Sequence, residues 1–197
     1  SFFGILKKTK KQNIQPDAKK AQAMARGGNH QGYLLEIKPL EVLEFSKIKE
    51  MDFVLVLCGI SDVGNLGSIF RSAYALGVDG IVVCGIKDFK QDGVLRASSG
   101  AMLGMPFCVV HNPLDVINEL EQSDFTLFGT SMQGKDLQNA LSGKKALFLG
   151  SEGHGLSNKI LAKMDYNLTI PMKREFDSLN VGVAGAILID RIINGRN

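Results

Sequence analysis

Tryptophan is absent from these 197 residues, and cysteine and histidine occur three times each. Cys58, Cys84 and Cys108 stand far apart inside apolar runs, an odd set without CxxC spacing. That excludes a disulfide framework and a zinc site and fits a reducing compartment. His30, His111 and His154 have no ligand spacing either, so no metal is expected. No apolar run approaches the ~20 residues that span a bilayer. The first residues lack the apolar stretch and small-residue cleavage site of a secretory leader. A cytoplasmic, membrane-free protein is the expectation.

Charge of one sign is also scarce, with a formal net charge of +3. Its placement is uneven, residues 1–50 carrying +5 and the remainder −2. Lys7, Lys8, Lys10, Lys11, Lys19, Lys20 and Arg26 form most of that excess. A basic arm beside a near-neutral body suggests an anionic partner, nucleic acid first; a solvated tail weighs equally on charge alone. Hydrophobic residues at 45% and charged ones at 22% describe a folded chain.

From residue 53 short apolar runs alternate with helical patterns. The runs at 53–58, 81–84, 107–110, 125–128, 146–149 and 167–170 are rich in Val, Ile, Leu and Phe without polar alternation. Strands covered on both faces read this way. Helices are expected near 65–76, 114–122, 136–142, 156–163 and 179–193. The rhythm predicts an α/β domain with a mostly parallel sheet and helices on both faces. Residues 1–45 break the pattern, with one strand-like piece at 33–37, and read as part of a smaller domain plus linker. Residues 46–197 read as the main domain.

Three segments could carry chemistry. The first is Gly64-Asn65-Leu66-Gly67-Ser68-Ile69-Phe70-Arg71-Ser72-Ala73 after the first strand. Ile69, Ala73 and Leu76 would face the sheet. Gly67, one turn before Arg71, would leave room above a guanidinium suited to phosphate at the sheet's carboxyl end. A plain exposed helix Arg is the competing reading. The second is Gly150-Ser151-Glu152-Gly153-His154-Gly155, whose glycines permit tight turns. The glycine spacing is not the GxGxxG fingerprint, which argues against a nucleotide-binding oxidoreductase. The third is Ile170-Pro171-Met172, then Ser178-Leu179-Asn180-Val181-Gly182-Val183-Ala184. Ser178 is expected to N-cap the last helix and Asn180 to project from its first turn. Apolar nearly all round and thin, that helix must be buried or lie at a subunit interface.

Together, NxGxxxR-x-A, LGSEGxGL and IPM…SLNVxVA, in this order, resemble the SpoU (TrmH-like) branch of the SPOUT RNA methyltransferases. The likeness covers roughly residues 46–197. The run Gly28-Asn29-His30-Gln31-Gly32-Tyr33 resembles the junction in bacterial 23S rRNA guanosine-2′-O-methyltransferases of the RlmB type, where an L30e-like RNA-binding domain comes first. Here that domain would be largely missing. The resemblance implies a C-terminal trefoil knot, S-adenosyl-L-methionine as cofactor, a homodimer, and 2′-O-methylation of RNA, with a guanosine of 23S rRNA as the target. A tRNA methyltransferase of the same family and a non-catalytic RNA-binding ribosome-assembly factor are the alternatives. By the same resemblance Arg71 binds the target phosphate and assists the hydroxyl, while Asn65, Glu152, Ser178 and Asn180 shape the nucleotide site. Gly150, Ile170 and Leu179 would hold the cofactor through backbone groups, with Thr130, Gly129, Ser151 and Met172 nearby.

Overall fold

The computed structural model describes residues 17–25, 39–135 and 142–195. The chain divides into two compact units, Ser1–Leu40 and Glu41–Asn197. In the first, helix α1 (Ala18–Met24) is capped by Asp17, which accepts from the Lys20 amide, and it buries no residue. The strand-like piece at 33–37 and the helix expected near 136–142 lie outside the described residues, save residue 142.

The second unit begins with a short helix, α2 (Phe45–Ile48), before strand β1 (Phe53–Cys58). Then follow α3 (Val63–Leu76), β2 (Gly80–Cys84), α4 (Gln91–Ala97), a 3-10 turn (Ala101–Leu103) and β3 (Phe107–Val110). The second half holds α5 (Pro113–Glu121), β4 (Thr126–Lys135), β5 (Lys145–Gly150), α6 (Asn158–Leu161), β6 (Tyr166–Leu168) and α7 (Val181–Asn194). All six strands pair in parallel, in the order β3-β2-β1-β5-β4-β6.

Side-chain alternation along β1 distributes the core between two layers. Val54, Val56 and Cys58 join a cluster with Ile48 of α2, Val116, Ile117 and Leu120 of α5, and Ile160 of α6. The opposite face is covered by α3 and α7, which pack together, α7 also touching β5. Phe70 of α3 meets Phe107 of β3 edge-on at 5.8 Å, and Phe89 meets Phe107 at 5.7 Å. Such pairs contribute ~0.5–1.5 kcal/mol beyond their burial. Helices thus cover both faces, as the alternation predicts.

The boundaries differ where local chemistry intervenes. β6 stops at Leu168 rather than running to residue 170, because Pro171 has no N–H to continue a ladder. β4 extends past residue 128 through Ser131-Met132-Gln133, bulging so that Leu168 pairs with both Thr130 and Lys135. α4 carries no clear apolar period and includes Gly93; it buries only Val94. From β6 at one edge, the chain returns to the sheet's middle and continues as α7 against α3.

Candidate active site at the carboxyl ends of the strands

The chain runs from β1 outward to β3, crosses to β4, then inserts β5 beside β1. The order therefore reverses between β1 and β5, where an α/β sheet leaves a crevice at its carboxyl edge. Asn65 lies just past β1 and Glu152 just past β5, one on each side of that point. Asp62 caps α3 by accepting from the Asn65 amide at 2.8 Å, which fixes the backbone that carries Asn65.

Asn180 joins the two. Its Nδ2 donates to Asn65 Oδ1 at 2.8 Å and to Glu152 Oε1 at 2.7 Å. Its Oδ1 accepts from the Gly182 and Val183 amides at 2.9 and 3.4 Å. Both amide hydrogens and the carbonyl are thus engaged, so a flipped amide would set oxygen against oxygen. Asn180 is consequently the N-cap of α7, correcting the assignment of that role to Ser178. The helix starts at Val181, and Asn180 keeps an extended backbone (φ −50°, ψ 138°) instead of entering the first turn. Ser178 is exposed and has no hydrogen-bond partner among the described residues.

Glycine brings these elements close. A Cβ on Gly182 would sit 2.7 Å from Ser68 Oγ, and one on Gly185 2.8 Å from Leu149 Cδ1. Small residues let α7 approach α3 and β5, which delivers Asn180 to Asn65. Glu152 rides on a turn closed by the Gly155 amide donating to the Ser151 carbonyl at 2.8 Å. A Cβ on Gly150 would stand 2.1 Å from the Gly155 carbonyl carbon, so this glycine is required by its own loop folding back.

The residues expected around a cofactor fall at the same edge. Gly129 ends the β4–β5 ladder with Thr130 next in the strand, Gly150 ends β5 with Ser151 just after it, and Ile170, Met172 and Leu179 belong to the segment leaving β6. Thr130 Oγ1 donates to the Phe148 carbonyl at 3.2 Å. Residues 170–179 make no hydrogen bond among the described residues, leaving a run of main-chain donors and acceptors next to these strand ends. Such backbone is the kind that a ligand satisfies.

Arg71 is not in this cluster. It lies about 9 Å further along α3 than Asn65 by helical rise and on a different face. Its side chain is exposed, unpartnered among the described residues, and lines an open cavity of about 620 Å³ with Tyr74, Ser98, Ser99, Gly100 and Leu103. The expectation that Gly67 makes room above Arg71 is also corrected: a Cβ there would meet Ala97 Cβ at 2.3 Å, so Gly67 admits α4. The cavity wall escaped the sequence reading. The sequence offers there only the run Ser98-Ser99-Gly100; in the structure Ser98 is fully buried and Ser99 takes φ 54°. The described residues include no group of three or more His, Cys, Asp or Glu arranged for a metal. They include no helix long and apolar enough to cross a membrane.

The six-stranded parallel α/β fold is that of the SPOUT-type methyltransferase structures. The model of the SpoU rRNA methylase family matches residues 52–190, and the chain belongs to that family of RNA methyltransferases. A Staphylococcus aureus protein named as a TrmH-family tRNA/rRNA methyltransferase is 34% identical over 205 residues, 98% of this chain and 83% of that protein. The SpoU methyltransferase AviRb from Streptomyces viridochromogenes, solved with AdoMet, superposes with a TM-score of 0.67 at 30% identity. That match covers 74% of this chain and 60% of AviRb, so the chain spans little more than half of the solved relative. An RNA 2′-O ribose methyltransferase structure aligns with a TM-score of 0.64 at 28% identity, covering 79% and 58% of the two chains.

Proposed function

We propose that this protein methylates a ribose 2′-hydroxyl of RNA, with S-adenosyl-L-methionine as methyl donor. The observation that carries this reading is the Asn65–Asn180–Glu152 cluster at the sheet's point of reversal, beside the segment 170–179, which makes no hydrogen bond among the described residues. The backbone of Gly129, Gly150, Ile170 and Leu179 would hold the cofactor, with Thr130, Ser151 and Met172 alongside. Bound there, the cofactor supplies a methyl group on a positively charged sulfur.

The chain's own work is positioning and charge control. Asn180 spends its hydrogen bonds on orienting its neighbours, so Asn65 Nδ2 and Glu152 Oε2 stay free for ribose hydroxyls. Ser178, exposed two residues before Asn180, contributes a further hydroxyl. Arg71 grips a phosphate of the same RNA and offsets charge as the hydroxyl loses its proton to the solvent that reaches this exposed site. Its separation from the cluster supports a homodimer in which one protomer's Arg71 serves its partner's cluster. Mixing Arg71→Ala and Asn180→Ala proteins should then restore methyl transfer that neither shows alone; no restoration would place both residues in one chain.

The finer assignment is a guanosine of 23S rRNA in the cytoplasm, with residues 1–45 as an RNA-binding segment and linker. The relatives' shared name, tRNA/rRNA methyltransferase, keeps tRNA as the second reading. A non-catalytic assembly factor would have no use for the oriented cluster. The deciding experiment maps 2′-O-methylation across rRNA and tRNA from cells with and without the gene. A missing 23S guanosine mark supports the first reading, a missing tRNA mark the second, and no missing mark overturns both.

A further inference from the structure

Four positions before Asn180 stands Phe176, in the run Lys173-Arg174-Glu175-Phe176-Asp177-Ser178. Its side chain is 74% exposed. The ring has no aromatic or cation–π contact among the described residues. A lone exposed apolar residue needs no explanation by itself. The setting of Phe176 is different. It stands on a segment without hydrogen bonds among the described residues, with two exposed cations, unpaired among those residues, just before it and the Asn180 cluster just after it.

An aromatic face beside cations is how proteins hold unpaired nucleic acid: bases stack on the ring while the cations track the backbone. Glu175 and Asp177 flank the ring and repel phosphate from it, which favours a base over the ring and phosphates toward Lys173 and Arg174. Resting on the RNA-methyltransferase reading above, we propose that Phe176 is a stacking platform for an unpaired nucleobase adjoining the methylated nucleotide. Lys173 and Arg174 take the flanking phosphates. A second copy of the chain is the other occupant that such a ring could accept.

The absence of tryptophan makes the test direct, because Phe176→Trp introduces a single reporter at the ring itself. Three quantities are measured on the full chain: binding of poly(U) and of the poly(A)·poly(U) duplex, Trp emission during each titration, and mass by sedimentation. Poly(U) should quench the Trp, and the duplex, whose bases are already stacked, should not. Phe176→Ala should weaken poly(U) binding by about 5- to 150-fold, the range for losing one base–aromatic stack. Phe176→Trp should restore it, while mass and S-adenosyl-L-methionine affinity stay unchanged in both variants.

Poly(U) binding without quenching, or undiminished binding by Phe176→Ala, would overturn the platform and leave the enzymatic reading intact. A change of mass in Phe176→Ala would give the ring to a second copy. A loss confined to S-adenosyl-L-methionine affinity would give it to the cofactor. Failure of the parent protein to bind any RNA, rRNA included, would overturn the platform and the function together.

Discussion

Replacing Asn180 separates two roles that one side chain performs. Its Oδ1 caps α7 through Gly182 and Val183, and its Nδ2 orients Asn65 and Glu152. Asn180→Ala removes both. Losing an N-cap costs about 1 kcal/mol, or roughly 2–4 °C in Tm for a chain of this size. The oxygens of Asn65 and Glu152 that it releases are exposed, so water replaces the lost donor and adds little to that cost. Asn180→Asp keeps the cap, because Asp serves at this position as well as Asn and suits the helix N-terminus. It removes both donors, and it sets a carboxylate oxygen where Nδ2 stood, 2.7 Å from Glu152 Oε1. At an exposed site the repulsion is screened, and stability should stay within about 0.5 kcal/mol of the parent. Methyl transfer should nevertheless fall by roughly 10²-fold in both variants, the scale of losing a preorganised electrostatic contact. Urea titration and single-turnover transfer to RNA measure the two effects separately. An Asn180→Asp protein with near-parental transfer would refute the reasoning and reduce Asn180 to a helix cap.

Arg71→Ala and Arg71→Lys should fold with parental stability, since the side chain is exposed and unpartnered among the described residues. Transfer should fall by roughly 10²-fold, Lys lacking the planar fork; calorimetry with S-adenosyl-L-methionine should show unaltered affinity. Gly67→Ala gains about 1 kcal/mol of helix propensity, but its Cβ would meet Ala97 at 2.3 Å. Overpacking of about 1–3 kcal/mol should win, giving net destabilisation by denaturant titration. Gly150→Ala should displace the Ser151–Gly155 turn that carries Glu152, lowering transfer and Tm together. The buried thiols should resist Ellman's reagent at neutral pH until the chain unfolds. Burial foremost pushes Cys108 from the ordinary 9.0 up to about 12, and Cys58 is raised chiefly by its hydrogen bond with Cys84. The folded chain therefore holds the Cys108 proton more tightly than the unfolded one. The stability this contributes is full below pH 9 and is lost as pH rises toward 12. Cys108→Ala should flatten that alkaline decline in urea titrations across the range.

The sheet was legible because its strands are buried on both faces, and runs such as Val54–Leu57 need only be counted. α3 was legible through Ile69 and Ala73 at helical spacing. What escaped depends on partners distant in sequence. Nothing local assigns the cap of α7 to Asn180 rather than Ser178, since either residue type caps well. The choice follows from Gly182 lying against Ser68, which brings α7 close enough for Asn180 to reach Asn65. Gly67 and Gly150 stand out in the sequence as small, yet their reason, contact with Ala97 and with Gly155, exists only in three dimensions. The polar half of β4 has no apolar period, and it pairs because β6 lies beside it.

The central claim is methyl transfer from S-adenosyl-L-methionine to a ribose hydroxyl. Its most direct measurement incubates the purified protein with methyl-labelled cofactor and with rRNA and tRNA from cells lacking the gene. The RNA is then digested to nucleosides. The account predicts label in a single 2′-O-methylnucleoside, abolished by Asn180→Asp. Label on a base, or none in either RNA, would contradict it.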